Sequence, residues 1–269
     1  MSGTDDAKKG KQKAVIEKPV PDEFLEIRPV YNKDYDPRDS KLPNPKMLRK
    51  NTRVGVIGKT GSGKTQAVVN MLLDGMPEYE NIVIWALNPN QSVYKGLEES
   101  IKDLIEDETL GFVKVKEAKE MPKITEFEED FPSVIIFDDL QSQDTAVKRI
   151  ISEFFTAGRP RKISCFYLAQ NYSGMGNVGV PTTIRENCDC WMLFALISDQ
   201  RLKAISETLP LPVSFKTLKV LYQMATGKNS KKGDFLFIDL ENEDKSLMFR
   251  KNLTEPLPWE ELEEQLSKK

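Results

Sequence analysis

From residue 52 onward, short apolar runs alternate with amphipathic stretches. The runs Thr52–Ile57, Asn81–Leu87, Gly111–Val115, Ser133–Phe137, Ser164–Ala169 and Cys190–Leu196 are rich in β-branched and aromatic residues. Near-continuous apolar runs of this length are expected of strands buried on both faces. Helical patterns lie between several of them, notably over 64–75, 92–106, 142–157 and 198–209. This alternation predicts an α/β fold, with a mostly parallel central sheet covered by helices on both faces. Two later runs, Asp234–Leu240 and Ser246–Arg250, predict an antiparallel edge addition near the C-terminus. Residues 258–269 predict a short amphipathic helix whose Trp259, Leu262 and Leu266 share one side, a stripe that docks on the chain's own core or, as the alternative, on a neighbouring subunit.

The start of the chain has a different texture. Residues 1–22 are polar, dotted with lysine and poor in aromatics, which predicts a disordered arm, either a solvated tail or a tether. Residues 23–50 contain Pro29, Pro37, Pro43 and Pro45 and read as an extended lead-in. The expected organisation is an arm over 1–50, a core over 51–252 and a C-terminal helix within 253–269.

Composition narrows the chemistry. At 269 residues and 39% hydrophobic content, the chain can bury one α/β core with tails. A formal net charge of −3 gives no global pull toward nucleic acid, so any such contact must come from local patches. There is no histidine, which excludes a histidine-based triad and leaves carboxylates or lysines as general bases. Cys165, Cys188 and Cys190 form no C-x-x-C motif and read as buried or idle thiols of a reducing compartment. The longest uncharged run, Ile163–Ile184, carries Gln170, Asn171 and Pro181 and fails as a bilayer helix. The chain therefore reads as soluble and intracellular.

The sharpest chemical signal is Gly58-Lys59-Thr60-Gly61-Ser62-Gly63-Lys64-Thr65, which matches G-x-x-x-x-G-K-[ST]. It follows the strand-like Thr52–Ile57 and opens the helical pattern Gln66–Leu73. Glycines let backbone N–H groups turn inward around a phosphate chain, Lys64 can reach the β- and γ-phosphates, and the Thr65 hydroxyl can ligate Mg²⁺. A helix N-terminus at that point favours an anion. The expected ligands are ATP and Mg²⁺.

Val134–Phe137 lead into Asp138 and Asp139. A buried strand would deliver Asp138 beside the loop to hold Mg²⁺, and Asp139 could orient and deprotonate a water. Helix capping is the other use of paired acids at a strand end. In Phe154–Tyr172, a helix, Gly158-Arg159-Pro160-Arg161 and a strand ending at Gln170 follow in the order expected if that strand neighbours the acidic one. Gln170 could contact the γ-phosphate or the water, or could simply close a strand. Arg159 and, second, Arg185 are candidates for an arginine inserted into a neighbouring subunit's site, against the alternatives of a surface arginine and of pairing with Glu186.

These residues carry a family resemblance. GKTGSGKT, VIIFDDL, FFTAGRPRKISCFYLAQNY, TTIRENCD leading to WMLFAL, and SDQRLKAISETLP resemble the genome-packaging ATPases of poxvirus-like and iridovirus-like viruses and of virophages, within the FtsK–HerA superfamily. The resemblance covers roughly residues 50–210. It implies a RecA-like P-loop core, ATP hydrolysis, a homo-oligomeric ring of five or six copies, and sequence-independent translocation of double-stranded DNA into a preformed capsid. It further implies a capsid-vertex or virion-membrane partner, and a place in the host cytoplasm or the virion. It supports Lys64 and Thr65 as phosphate and Mg²⁺ ligands, Asp138 as metal acid, Asp139 as base, Gln170 as sensor and Arg159 as a trans arginine. Many superfamily members have Glu where this chain has Asp139.

For DNA contacts, residues 201–232 hold seven basic residues against Glu207 alone, and Gly227–Gly233 reads as a flexible basic loop or a solvated tip. Residues 98–130, with twelve acids and five lysines, are expected to face away from DNA. Two other functions use the same loop: a small-molecule kinase, and an assembly scaffold that binds nucleotide and turns it over slowly.

Overall fold

The structure, a computed structural model, describes residues 48–173, 179–227 and 230–268. Its strands are β1 (Arg53–Ile57), β2 (Asn81–Ala86), β3 (Gly111–Val115), β4 (Ser133–Asp138), β5 (Ile163–Ala169), β6 (Cys190–Leu193), β7 (Leu236–Asp239), β8 (Phe249–Lys251) and β9 (Glu255–Pro256). They form one sheet in the order β3-β2-β4-β5-β1-β6-β7-β8-β9. The first six are parallel; β7, β8 and β9 pair antiparallel at one edge, as expected. β5 lies beside the acidic strand β4, with Asp138 opposite Leu168.

Parallel strands need crossovers, and the helices supply them on both faces. One face carries α1 (Lys64–Leu73), α2 (Ser92–Ser100) and α3 (Lys102–Glu106), packed on Val54, Val56, Ile84, Ile136 and Phe166. The other carries α4 (Thr145–Ala157), α5 (Thr182–Asn187), α6 (Asp199–Thr208), α7 (Phe215–Thr226) and α8 (Trp259–Ser267). Core side chains such as Ile135, Phe137, Phe154 and Trp191 are essentially inaccessible, and each large apolar side chain buried this way contributes about 1.5–3 kcal/mol. Gly55 exists for Trp191: a Cβ there would lie 2.3 Å from the indole ring. Trp259 of α8 stacks near Phe249 at 5.9 Å and donates its indole N–H to the Lys245 carbonyl at 2.8 Å, docking α8 on the core.

Three elements depart from the pattern-based reading. The run Cys190–Leu196 ends as a strand at Leu193: the Phe194 N–H still donates to the Ile57 carbonyl, but the Phe194 carbonyl and the Leu196 N–H bond the Tyr222 hydroxyl. The stretch 92–106 breaks into α2 and α3 at Ile101, which sits at φ −114°, ψ 14°. α7 falls within a segment that reads first as a charge run. Its Leu218, Leu221 and Ala225 nevertheless recur at helical spacing, and the Ser214 hydroxyl caps it by accepting from the Thr217 N–H at 3.3 Å. The arm expected over 1–50 lies almost wholly outside the described residues. No helix among the described residues is long and apolar enough to cross a membrane.

Candidate nucleotide-binding site

The loop Gly58–Thr65 leaves the carboxyl end of β1 and enters α1. Gly61 at φ 74° and Gly63 at φ 99° adopt left-handed backbone that few other residues tolerate. Gly58 is held by the chain on both sides: its N–H donates to the Ala169 carbonyl at 3.2 Å, and a Cβ would strike Phe194. The Ser62 hydroxyl is buried and makes no hydrogen bond among the described residues. A polar group so placed at a helix N-terminus suits a phosphate oxygen. Lys64 donates from Nζ to the Gly58 and Lys59 carbonyls at 2.8 and 3.3 Å. Burial lowers its pKa, while Asp138 and Asp139 pull the other way.

β4 and β5 bring the remaining groups. Asp138 ends β4, and its Oδ2 accepts from Thr65 Oγ1 at 3.2 Å, Gln91 Nε2 at 3.1 Å and the Tyr94 hydroxyl at 2.7 Å. Burial pushes the Asp138 pKa up, and these three donors oppose it by favouring the charged carboxylate. Asp139 turns at φ 58°, a conformation Asp adopts more readily than most residues. Its Oδ1 accepts from Gln170 Nε2 at 3.2 Å and, more loosely, from Gln141 Nε2 at 3.5 Å. Gln141 also accepts from the Gln170 N–H at 3.0 Å, tying the two strand tips together. A chamber of 240 Å³ opens between these groups, lined among others by Thr60, Lys64, Thr65, Asp138, Asp139 and Gln170.

The donor set fits Mg²⁺. The Thr65 hydroxyl and the buried Asp138 carboxylate, 3.2 Å apart, are hard oxygen ligands. Mg²⁺ takes one or two carboxylates with phosphate oxygens and water rather than a dedicated cage. Among the described residues no cluster of three acidic, cysteine or histidine ligands exists, and such a site requires none.

The arginines lie elsewhere. Arg159 stands before β5, at the amino end of the sheet. The rise of one strand puts it roughly 20 Å from the loop. Its Nη2 donates to Asp189 Oδ1 at 2.8 Å, and the side chain is 48% exposed. Arg53 grips the same carboxylate through Nε and Nη2 at 3.3 and 2.8 Å. Arg185 donates to the Thr182 hydroxyl at 3.0 Å and lies 5.2 Å from the Tyr172 ring centre. Within one chain, then, the fold gathers Lys64, Thr65, Asp138, Asp139 and Gln170; Arg159 stands at the other end of the sheet, and Arg185 is not among the residues that line the chamber.

Gln91, Tyr94 and Gln141 escaped the sequence reading. Gln91 and Tyr94 enter because β2 pairs with β4 in parallel, Ala86 opposite Asp138, so the chain leaving β2 emerges beside the acid. Of the expected basic loop, residues 228–229 lie outside the described residues. Lys231 and Lys232 flank the cleft beside Gly61–Gly63. Lys219 pairs with Asp199 at 2.5 Å and Lys203 with Glu207 at 3.7 Å, so the basic stretch is less positive than its sequence.

A family model described as Poxvirus A32 protein matches residues 39–243. No curated protein sequence matches the chain. Among solved structures, the genome packaging NTPase B204 from Sulfolobus turreted icosahedral virus 2, in complex with AMP, is 16% identical with a TM-score of 0.49, over 80% of this chain and 99% of that one. EssC (ATPases 2 and 3) from Geobacillus thermodenitrificans is 12% identical with a TM-score of 0.46, over 70% of this chain and 38% of that one. The cytoplasmic domain of the Thermomonospora curvata Type VII secretion ATPase EccC is 10% identical with a TM-score of 0.43, over 77% and 24%. Likenesses this distant assign no residue a role.

Proposed function

The chain belongs to the poxvirus A32 protein family and is built as a P-loop ATPase; from these two premises we propose that it is a ring-forming motor that moves double-stranded viral DNA into a preformed capsid. The observation that carries the hydrolytic half is the convergence of Thr65 on Asp138 and of Gln170 on Asp139 at adjacent strand tips, facing the loop.

In this reading the loop's backbone N–H groups and Lys64 bind the phosphate chain. Thr65 and Asp138 would hold Mg²⁺, which supplies neutralisation of charge on the β- and γ-oxygens. Asp139 orients a water and takes its proton as the water oxygen bonds the γ-phosphorus. The bond from that phosphorus to the β,γ-bridging oxygen breaks, and the electron pair stays on ADP. Gln170 fixes Asp139 and the water relative to one another. The half-exposed Arg159 is too far from its own loop to act there. It would instead complete the site of an adjacent copy, where such a group is worth about 10³–10⁵ in rate. A ring would place nucleotide between subunits and convert each hydrolysis into a shift of basic surface along DNA phosphates, which needs no base readout.

The test is ATP turnover with and without duplex DNA, alongside assembly state by light scattering. The motor reading expects turnover that rises with DNA of any sequence and a ring-sized species. Turnover indifferent to DNA, or phosphate transferred to a small acceptor, would contradict it.

A further inference from the structure

A nucleotide whose phosphates occupy Gly58–Thr65 must send its base and ribose out of the loop, and the structure offers two openings. The chamber beside Asp138 and Asp139 has 240 Å³ and an acidic wall. That is below the roughly 300–1,000 Å³ usual for a ligand pocket, so it suits only the phosphate and metal end. The second opening is a cleft of 1110 Å³ running from Gly61–Thr65 along the flank of α1. Its floor is apolar, formed by Met71, Met76, Phe235 and Leu253. Its rim is polar, with Gln66 and Asn70 on the α1 side and Asn252 and Thr254 opposite. An apolar floor with a few convergent polar groups is the usual build of a small-molecule site.

The far wall is a fixed turn. Asp234 Oδ2 accepts from the Lys231 N–H at 2.9 Å, and its Oδ1 accepts from Asn252 Nδ2 at 3.1 Å. The Asn252 side chain in turn accepts from the Phe235 N–H at 3.1 Å. Gly233, at φ 101°, lies directly on the phosphate loop: a Cβ on Gly63 would come 2.9 Å from its Cα. The turn thus brings Lys231 and Lys232, exposed and without an ion-pair partner among the described residues, to the lip of the loop.

We propose that this cleft is the nucleoside end of the nucleotide site, and that Lys231 and Lys232 contact the nucleotide rather than DNA. The proposal rests on the loop Gly58–Thr65 holding phosphates, as argued above. The base lies over the Met71–Phe235–Leu253 floor, the ribose meets the amide and hydroxyl rim, and the two ammonium groups reach the phosphates from the turn. Because Gly233 touches Gly63, the turn is in contact with the loop that it completes.

The test is titration of the full chain by calorimetry with Mg–ATP and, separately, with Mg²⁺ and inorganic triphosphate. The proteins are wild type, Asn70→Trp, Thr254→Trp and a Lys231→Ala/Lys232→Ala double variant. The two tryptophans stand on opposite walls at exposed positions, so folding, checked by circular dichroism, survives. Each tryptophan is expected to raise the Kd for ATP by about ten-fold or more and to leave that for triphosphate within about two-fold. The lysine variant is expected to weaken ATP by about ten-fold with duplex DNA binding, followed by fluorescence anisotropy, unchanged. ATP affinity unaffected by both tryptophans overturns the cleft assignment. Reduced DNA binding with intact ATP binding returns the lysines to DNA. If inorganic triphosphate fails to bind the wild-type chain, the phosphate-loop reading itself falls, a result distinguishable from failure of the cleft alone.

Discussion

Gln170 holds Asp139: its side-chain N–H donates to Oδ1 at 3.2 Å across the tips of β5 and β4. In the proposed mechanism that amide orients the carboxylate toward a water and contributes little to nucleotide binding. Gln170→Ala is therefore expected to lower kcat by about 10²-fold, in line with loss of one preorganised donor. The Kd for ATP should hardly change. Steady-state turnover beside calorimetry checks the split.

Tyr94 is completely buried and gives its hydroxyl to Asp138 at 2.7 Å. Burial, reinforced by the Asp138 charge, pushes the phenol's pKa up, so it remains a donor throughout the accessible pH range. Tyr94→Phe removes a hydrogen bond to a charged acceptor and should lower the free energy of unfolding by about 1.5–3 kcal/mol. Mg–ATP should narrow the gap, since Asp138 then gains another partner. Denaturant melts with and without Mg–ATP test this.

Asp189 is a structural anion between two guanidinium groups. Arg53 is largely buried against it, whereas Arg159 is half exposed. Asp189→Asn leaves the Arg53 charge buried without its counter-ion and should destabilise the fold by about 3–5 kcal/mol. The candidate nucleotide site lies at the opposite end of the strands, so ATP affinity of the surviving folded fraction should be unaltered. Thermal melts and nucleotide titration at low temperature separate these outcomes.

Arg159→Ala removes a half-exposed guanidinium from Asp189 and Glu241 but leaves Asp189 paired with Arg53, so the cost in stability should be small. It is expected to retain ATP binding, lose most turnover, and recover part of it when mixed with Lys64→Ala protein. Each mixed interface of the right order then contains one intact loop and one intact arginine. If the mixture stays inactive while Arg185→Ala is rescued, Arg185 is the arginine that acts in trans.

Much of this architecture is written locally. β-branched runs such as Val134–Phe137 and Val54–Ile57 declare buried strands, and the loop between β1 and α1 has a fixed spacing whose glycines serve positive φ. Asp138, Asp139 and Gln170 were legible because each ends an apolar strand. What was not legible depends on strand order. Gln91 and Tyr94 reach Asp138 only because β2 lies beside β4, and no local pattern encodes that neighbour. Lys231 and Lys232 read as a loop tip, yet the Gly63–Gly233 contact draws them to the phosphate loop. α7 was obscured by its lysines, although Leu218, Leu221 and Ala225 keep helical spacing.

Asp139→Asn tests the chemical core of the account most directly. Position 139 sits at φ 58° and its side-chain oxygen meets Gln170. Asn tolerates that left-handed backbone and keeps an oxygen for Gln170, but cannot take a proton. Single-turnover release of the γ-phosphate should slow by about 10²–10⁴-fold, with Mg–ATP binding by calorimetry equal to wild type. A release rate within a few-fold of wild type would contradict Asp139 as the base.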